Sequence, residues 1–251
     1  MKKIIKFLIK FYLFPFQIKP IFYYYVKDNF FTNPSEHLFR TVKLIKNQNT
    51  DLKGSVIIDI GCANGDTSIF FAKHFKNLKV YGYEPYLKLF ESAKLKCNNY
   101  KNIILRNIAL GEKEGNAILN VTANSLSSSL NELNDFQINL FPDEHKSKFQ
   151  LVEKQNVELT TVDKEFDNAK NILLIKIDTQ GTELSILKGA IKSLKKTRYV
   201  LLEMNNHEIY KDGCQYHQVD EFLRNNSFKL ADLVVSFRNQ GKVEEYDALY
   251  E

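Results

Sequence analysis

The runs Ser55-Val-Ile-Ile-Asp-Ile60, Asn171-Ile-Leu-Leu-Ile-Lys-Ile-Asp178 and Arg198-Tyr-Val-Leu-Leu-Glu-Met204 limit the fold most. Each is short, nearly continuous in Val, Ile and Leu, and set off by turn or helix-opening residues. Strands that do not alternate apolar with polar residues are buried on both faces. Helical patterns follow at 65–76, 86–97, 183–196 and 216–225, and further strands are expected at 79–84, 102–110, 116–121 and 152–162. Strand–helix alternation of this kind gives an α/β protein with a mostly parallel sheet covered on both sides. The stretches FKLADLVVSF and KVEEYDALY, joined near Asn239-Gln240-Gly241, read as an antiparallel hairpin that closes it.

The first of these strands runs into the turn Asp59-Ile-Gly61-Cys62-Ala63-Asn64-Gly65 and then into a helix. Gly61 permits a tight turn, Gly65 lets the helix begin close to a ligand, and a helix N-terminus offers free N–H groups. A dinucleotide fingerprint would need glycine at 63 and 66, where Ala63 and Asp66 stand, and the Gly-Lys-Ser/Thr of a phosphate loop is missing. Asp59 beside the turn disfavours a pyrophosphate and favours a cationic amino group. Glu84, ending the second strand before Pro85, is placed for two ribose hydroxyls. An acid before a glycine turn plus a second-strand acid suits S-adenosylmethionine. Asn107, at the end of the third strand, is placed either for an adenine edge or as a loop cap. Cys62 reads as a small turn residue rather than a nucleophile.

A second group gathers around LLIKIDTQGTELSILKGA, residues 173–190. Asp178 ends the fourth strand, where open α/β sheets expose ligands. Glu203 ends the next, followed by Asn205, Asn206 and His207. Asp178, Glu203 and Asn205 are oxygen donors suited to Mg²⁺. Alternatively, Asp178 or Glu203 orients a substrate hydroxyl while His207 or a carboxylate removes its proton; His207 also reads as a helix cap. The serine- and asparagine-rich segment 122–135 is a candidate lid over the acceptor.

Charge separates a 1–35 arm from a 36–251 domain. The first 53 residues carry ten Lys/Arg against three acids, so the rest of this +5 chain is nearly neutral. A nucleic-acid partner is therefore not expected, and the Asn/Asp-Pro-Pro-Tyr/Phe motif of base-amino methylation is absent. The arm has lysines at 3, 6 and 10, and Pro15 and Pro20 interrupt it, which argues against a transmembrane span. It reads as an aromatic cap on the domain or a partner subunit, or as a basic helix resting on an anionic membrane. Three scattered cysteines suggest the cytoplasm, with peripheral contact at the inner face of the membrane if the arm binds there.

DIGCANGDTSIFFAK, NIALGEKEG, TTVD and KIDTQGTELSILKGA together resemble the FkbM family of S-adenosylmethionine-dependent O-methyltransferases across roughly residues 50–235. The resemblance implies a Rossmann-like class I methyltransferase fold, a mostly parallel seven-stranded sheet with an antiparallel C-terminal hairpin. It implies methylation of a hydroxyl on a glycan sugar or a small molecule. It places Asp59, Gly61 and Glu84 at the cofactor and Asp178, Gly181 and Glu183 in the signature turn. Two positions depart from the family: Ala63 stands where Asn is frequent, and Gln180 where an acid is usual. The alternatives are a nucleic-acid methyltransferase and, as the Gln180 departure suggests, a non-catalytic binding protein with this fold.

Overall fold

The computed structural model describes residues 36–48, 52–138, 146–206, 208–239 and 241–251. The chain divides into two compact units, 1–40 and 41–251. Of the first, only residues 36–40 are described, and the arm at 1–35 lies outside the described residues.

In chain order the elements are α1 (Glu36–Asn47), β1 (Ser55–Ile60), α2 (Asp66–His74), β2 (Lys79–Tyr83), α3 (Leu87–Cys97), β3 (Ile103–Arg106), β4 (Ala109–Leu110) and β5 (Gly115–Thr122). They continue with α4 (Asp135–Ile138), β6 (Leu151–Thr160), α5 (Val162–Glu165), β7 (Asn171–Ile177), α6 (Glu183–Lys188), α7 (Ile191–Leu194), β8 (Thr197–Asn205), α8 (Tyr216–Asn225), β9 (Leu230–Asn239) and β10 (Lys242–Tyr250).

Seven strands form one sheet in the order β3-β2-β1-β7-β8-β10-β9. The first five are parallel, and β10 and β9 close it antiparallel. Ile57, Ile58, Leu174, Ile175 and Val200 have no exposed surface, as unbroken apolar strands require. The chain goes from β1 outward to β2 and β3, then returns to build β7 and β8 on the other side. The strand order reverses at β1/β7, so a crevice opens at the carboxyl ends there.

Two expected elements are divided. The strand foreseen at 102–110 breaks after Arg106: β3 stays in the large sheet, while β4 joins β6 and β5 in a second, three-stranded sheet. Asn107 makes the break by donating from Nδ2 to the carbonyls of Glu84 (2.8 Å) and Pro85 (3.0 Å). The helix foreseen at 183–196 stops at Gly189, where a Cβ would come within 2.0 Å of the Gly111 carbonyl oxygen. Asp163 then opens α7 by accepting from the amides of Lys192 and Ser193. Among the described residues no helix is long and apolar enough to cross a membrane.

Candidate active site

The crevice at the β1/β7 reversal is a cleft of about 480 Å³. Its walls come from the turn after β1, the ends of β2, β7 and β8, the 125–130 segment and Glu245 of β10.

The β1 turn is held by backbone bonds: Gly61 N and Cys62 N both donate to Tyr83 O at 3.0 Å. Gly61 has φ +73, and a Cβ on it would sit 1.9 Å from the Asp178 carbonyl oxygen. Glycine at 61 thus lets the two ligand-facing turns touch. Ala63, φ +47, donates its N–H to Glu84 Oε2 at 2.9 Å, and Tyr86 N donates to Oε1 at 2.9 Å. Each carboxylate oxygen of Glu84 keeps a second lone pair, and the residue lines the cleft. Burial pushes its carboxyl up to about 7, with the two backbone donors opposing. Cys62, Ala63, Asn64 and Pro85 also line the cleft. Cys62 is buried in the turn, and burial drives its thiol well above the ordinary range, which disfavours the thiolate.

Three expected contacts fall elsewhere. Asp59 is fully buried behind the cleft, where Oδ2 accepts from Ser68 Oγ at 2.6 Å and Oδ1 lies 3.6 Å from Lys176 Nζ. Gly65 does not line the cleft; its missing Cβ would strike Cys97 Sγ at 2.8 Å, so its smallness lets α2 pack on α3. Asn107 spends its amide N–H groups on the strand-break carbonyls and is absent from the lining, as a loop cap would be.

At the other end, Asp178 and Glu203 both line the cleft. Lys176, not anticipated as a site residue, is buried between the two halves. Its Nζ lies 3.1 Å from Asp178 Oδ2 and 3.4 Å from Gly61 O, besides its approach to Asp59. Burial alone would depress its ammonium, but Asp178 and Asp59 outweigh that and raise it above the ordinary lysine value. A lysine inside the apolar run NILLIKI was the available signal, since a buried charge needs a partner. Among the described lining residues it is the only Lys or Arg, against five acids.

Glu203 is held well above the usual carboxylate range by burial, then by Asp178, Glu245, Asp247 and Glu183. Gln180 stands between the two acids, its Nε2 3.1 Å from Asp178 Oδ1 and 2.7 Å from Glu203 Oε2. Glu183 folds the signature turn by accepting from Thr179 N and Gly181 N, each at 3.0 Å. The 125–130 segment lies along the cleft, with Ser129 Oγ donating to Gln180 O at 2.7 Å.

An Mg²⁺ shell at Asp178, Glu203 and Asn205 does not fit this arrangement. An amide donor lies where the ion would sit, and Asn205 does not line the cleft. Among the described residues no three His, Cys, Asp or Glu are grouped to hold a metal. His207 lies outside the described residues.

The chain is 24% identical over 168 residues to the 2-O-methyltransferase NoeI of Sinorhizobium fredii (strain NBRC 101917 / NGR234). That match takes in 62% of this chain and 65% of the relative, so the chain spans just under two thirds of the relative's length. Among solved structures it aligns with the magnesium protoporphyrin IX methyltransferase of Synechocystis PCC 6803, determined with bound S-adenosylmethionine. The identity is 12%, the coverage 99% of this chain and 95% of that one, and the TM-score 0.48. An rRNA methylase of Streptococcus thermophilus aligns at 14% identity over 84% of this chain and 93% of that one, with a TM-score of 0.46. The model of the methyltransferase FkbM domain matches residues 59–230, from the last turn of β1 to the start of β9, and so takes in the glycine turn, both strand-end acids and the signature turn. The chain belongs to the FkbM methyltransferase family.

Proposed function

We propose that the protein is an S-adenosylmethionine-dependent O-methyltransferase acting on a hydroxyl of a glycan sugar or of a small molecule. One observation carries this reading. A turn gripped by a buried strand-end carboxylate opens into the same cleft as Asp178, and Gly61 holds the two turns in contact. The name of the curated relative, a 2-O-methyltransferase, favours a hydroxyl acceptor.

When bound, S-adenosylmethionine supplies the methyl group from its sulfonium. Glu84 accepts the ribose hydroxyls with its remaining lone pairs, while Cys62, Ala63, Asn64 and Pro85 shape the wall. Asp59 does not touch the ligand in this scheme; it braces the turn through Ser68 and Lys176. Asp178, held by Lys176 Nζ at 3.1 Å, orients the acceptor hydroxyl and takes its proton. Glu203, pushed above the usual carboxylate range by burial and then by Asp178, is the second acid at this end of the cleft.

Calorimetric titration with S-adenosylhomocysteine tests the cofactor half. Stoichiometric binding is expected, weakened in Glu84→Ala by about 1.5–3 kcal/mol, the usual loss when hydrogen bonds to a charged group go. Unchanged affinity in that variant would remove Glu84 from the site.

The titration also has an expected pH dependence. Donation from ribose hydroxyls favours ionised Glu84, whose carboxyl stands near 7 in the free protein. Binding therefore strengthens as pH rises through that value, by roughly tenfold from about pH 6 to about pH 8. A flat profile in wild type would show that the ligand does not engage this carboxylate.

A further inference from the structure

Asp178 and Glu203 end neighbouring parallel strands, and the group between their carboxylates is the side-chain amide of Gln180. That amide is fixed from three sides. Its Oε1 lies 3.0 Å from the Tyr210 hydroxyl, which also reaches Ser127 O at 2.8 Å. Its own backbone carbonyl accepts from Ser129 Oγ, and its backbone sits at φ +59, a left-handed conformation uncommon outside glycine. Chemistry settles which end faces the acids. The Asp178 carboxylate can only accept, so with the amide reversed Oε1 would face it with no proton between them.

The second oxygen of Asp178 is taken by Lys176 Nζ. Both sides of this acid thus face donors supplied by the chain. A small hard cation needs oxygens at about 2.0–2.1 Å in near-octahedral array, and a fixed –NH₂ excludes it from this position.

We propose that the Gln180 amide takes the place of a divalent cation between Asp178 and Glu203, so that the acceptor end is built to operate on protein donors alone. Gln180 is then the positioning residue that determines whether this site takes a metal. Its meaning for catalysis rests on reading the cleft as a methyl-transfer site, but metal binding itself does not.

The test uses the full chain with Mn²⁺ as probe, followed by the electron paramagnetic resonance signal of the free ion and by calorimetry, with Mg²⁺ as competitor. Wild type is expected to leave the Mn²⁺ signal undiminished. Gln180→Glu, which puts a third carboxylate between the two acids, is expected to bind one Mn²⁺ per chain, roughly tenfold or more tighter than wild type. Gln180→Ala removes the donor without adding charge and is expected to gain affinity in the same direction; it carries the test if the Glu variant does not fold. Two results would overturn the proposal. One is a wild-type site that binds Mn²⁺ as tightly as Gln180→Glu and loses it in Asp178→Asn. The other is no binding in any folded variant. S-adenosylhomocysteine affinity, measured on the same samples, reports separately on the cofactor reading.

Discussion

Lys176→Met is expected to lower stability by about 3–5 kcal/mol, the range for removing one partner of a buried ion pair. For a chain of this size that is a fall in melting temperature on the order of 10 °C. The ammonium reaches both Asp59, which has no exposed surface, and Asp178. Without it Asp59 keeps only the Ser68 hydroxyl, and its Oδ1, which has no hydrogen-bond partner, also loses its nearby charge. Burial already raises Asp59 above its ordinary value, with Lys176 the main opposing influence. Removing the lysine raises it further. An acid whose folded value lies above its unfolded one is destabilising once pH exceeds the unfolded value, near 4. The gap between wild type and variant should therefore be narrow near pH 4 and widen toward neutrality. Lys176→Arg keeps the charge and should recover part of the loss. A variant as stable as wild type at pH 7 would show that the pair contributes nothing.

Lys176 also marks the limit of what the sequence made legible. Asp59, Glu84, Asp178 and Glu203 could each be found, because an acid ending an apolar strand stands out locally. Their partnerships could not. Asp59 meets Lys176 because β1 and β7 are neighbours in that register, although more than a hundred residues separate them. Nothing within either strand announces that pairing. Gly65 was recognisable as a turn residue, whereas the helix expected at 183–196 ran through Gly189, and what the two make room for is supplied by α3 and by the Gly111 carbonyl. The strand foreseen at 102–110 is apolar on either side of Arg106-Asn107, and the two carbonyls captured by Asn107 split it there between sheets. Gln180 was visible as a departure from the family, the loss of a usual acid. Its geometry turns that loss into a hydrogen-bond bridge.

Asp178→Asn is expected to reduce methyl transfer by about 10²–10⁴-fold, the usual contribution of a positioned base, while S-adenosylhomocysteine affinity stays within a few-fold. The two readouts separate because the β1 turn approaches residue 178 at its backbone carbonyl, while the side chain hydrogen-bonds Lys176 and Gln180. An asparagine amide retains the shape and one acceptor oxygen. If that oxygen faces Lys176, the new –NH₂ faces the Gln180 –NH₂ across a former 3.1 Å hydrogen bond, donor against donor. The double variant Asp178→Asn/Gln180→Glu restores an acceptor opposite that –NH₂. It should therefore recover stability without recovering turnover, because no carboxylate returns to position 178. Recovery of turnover would move the base to the carboxylate at 180. Full turnover in Asp178→Asn alone would leave proton removal to Glu203 or to solvent, with Asp178 reduced to a partner of Lys176.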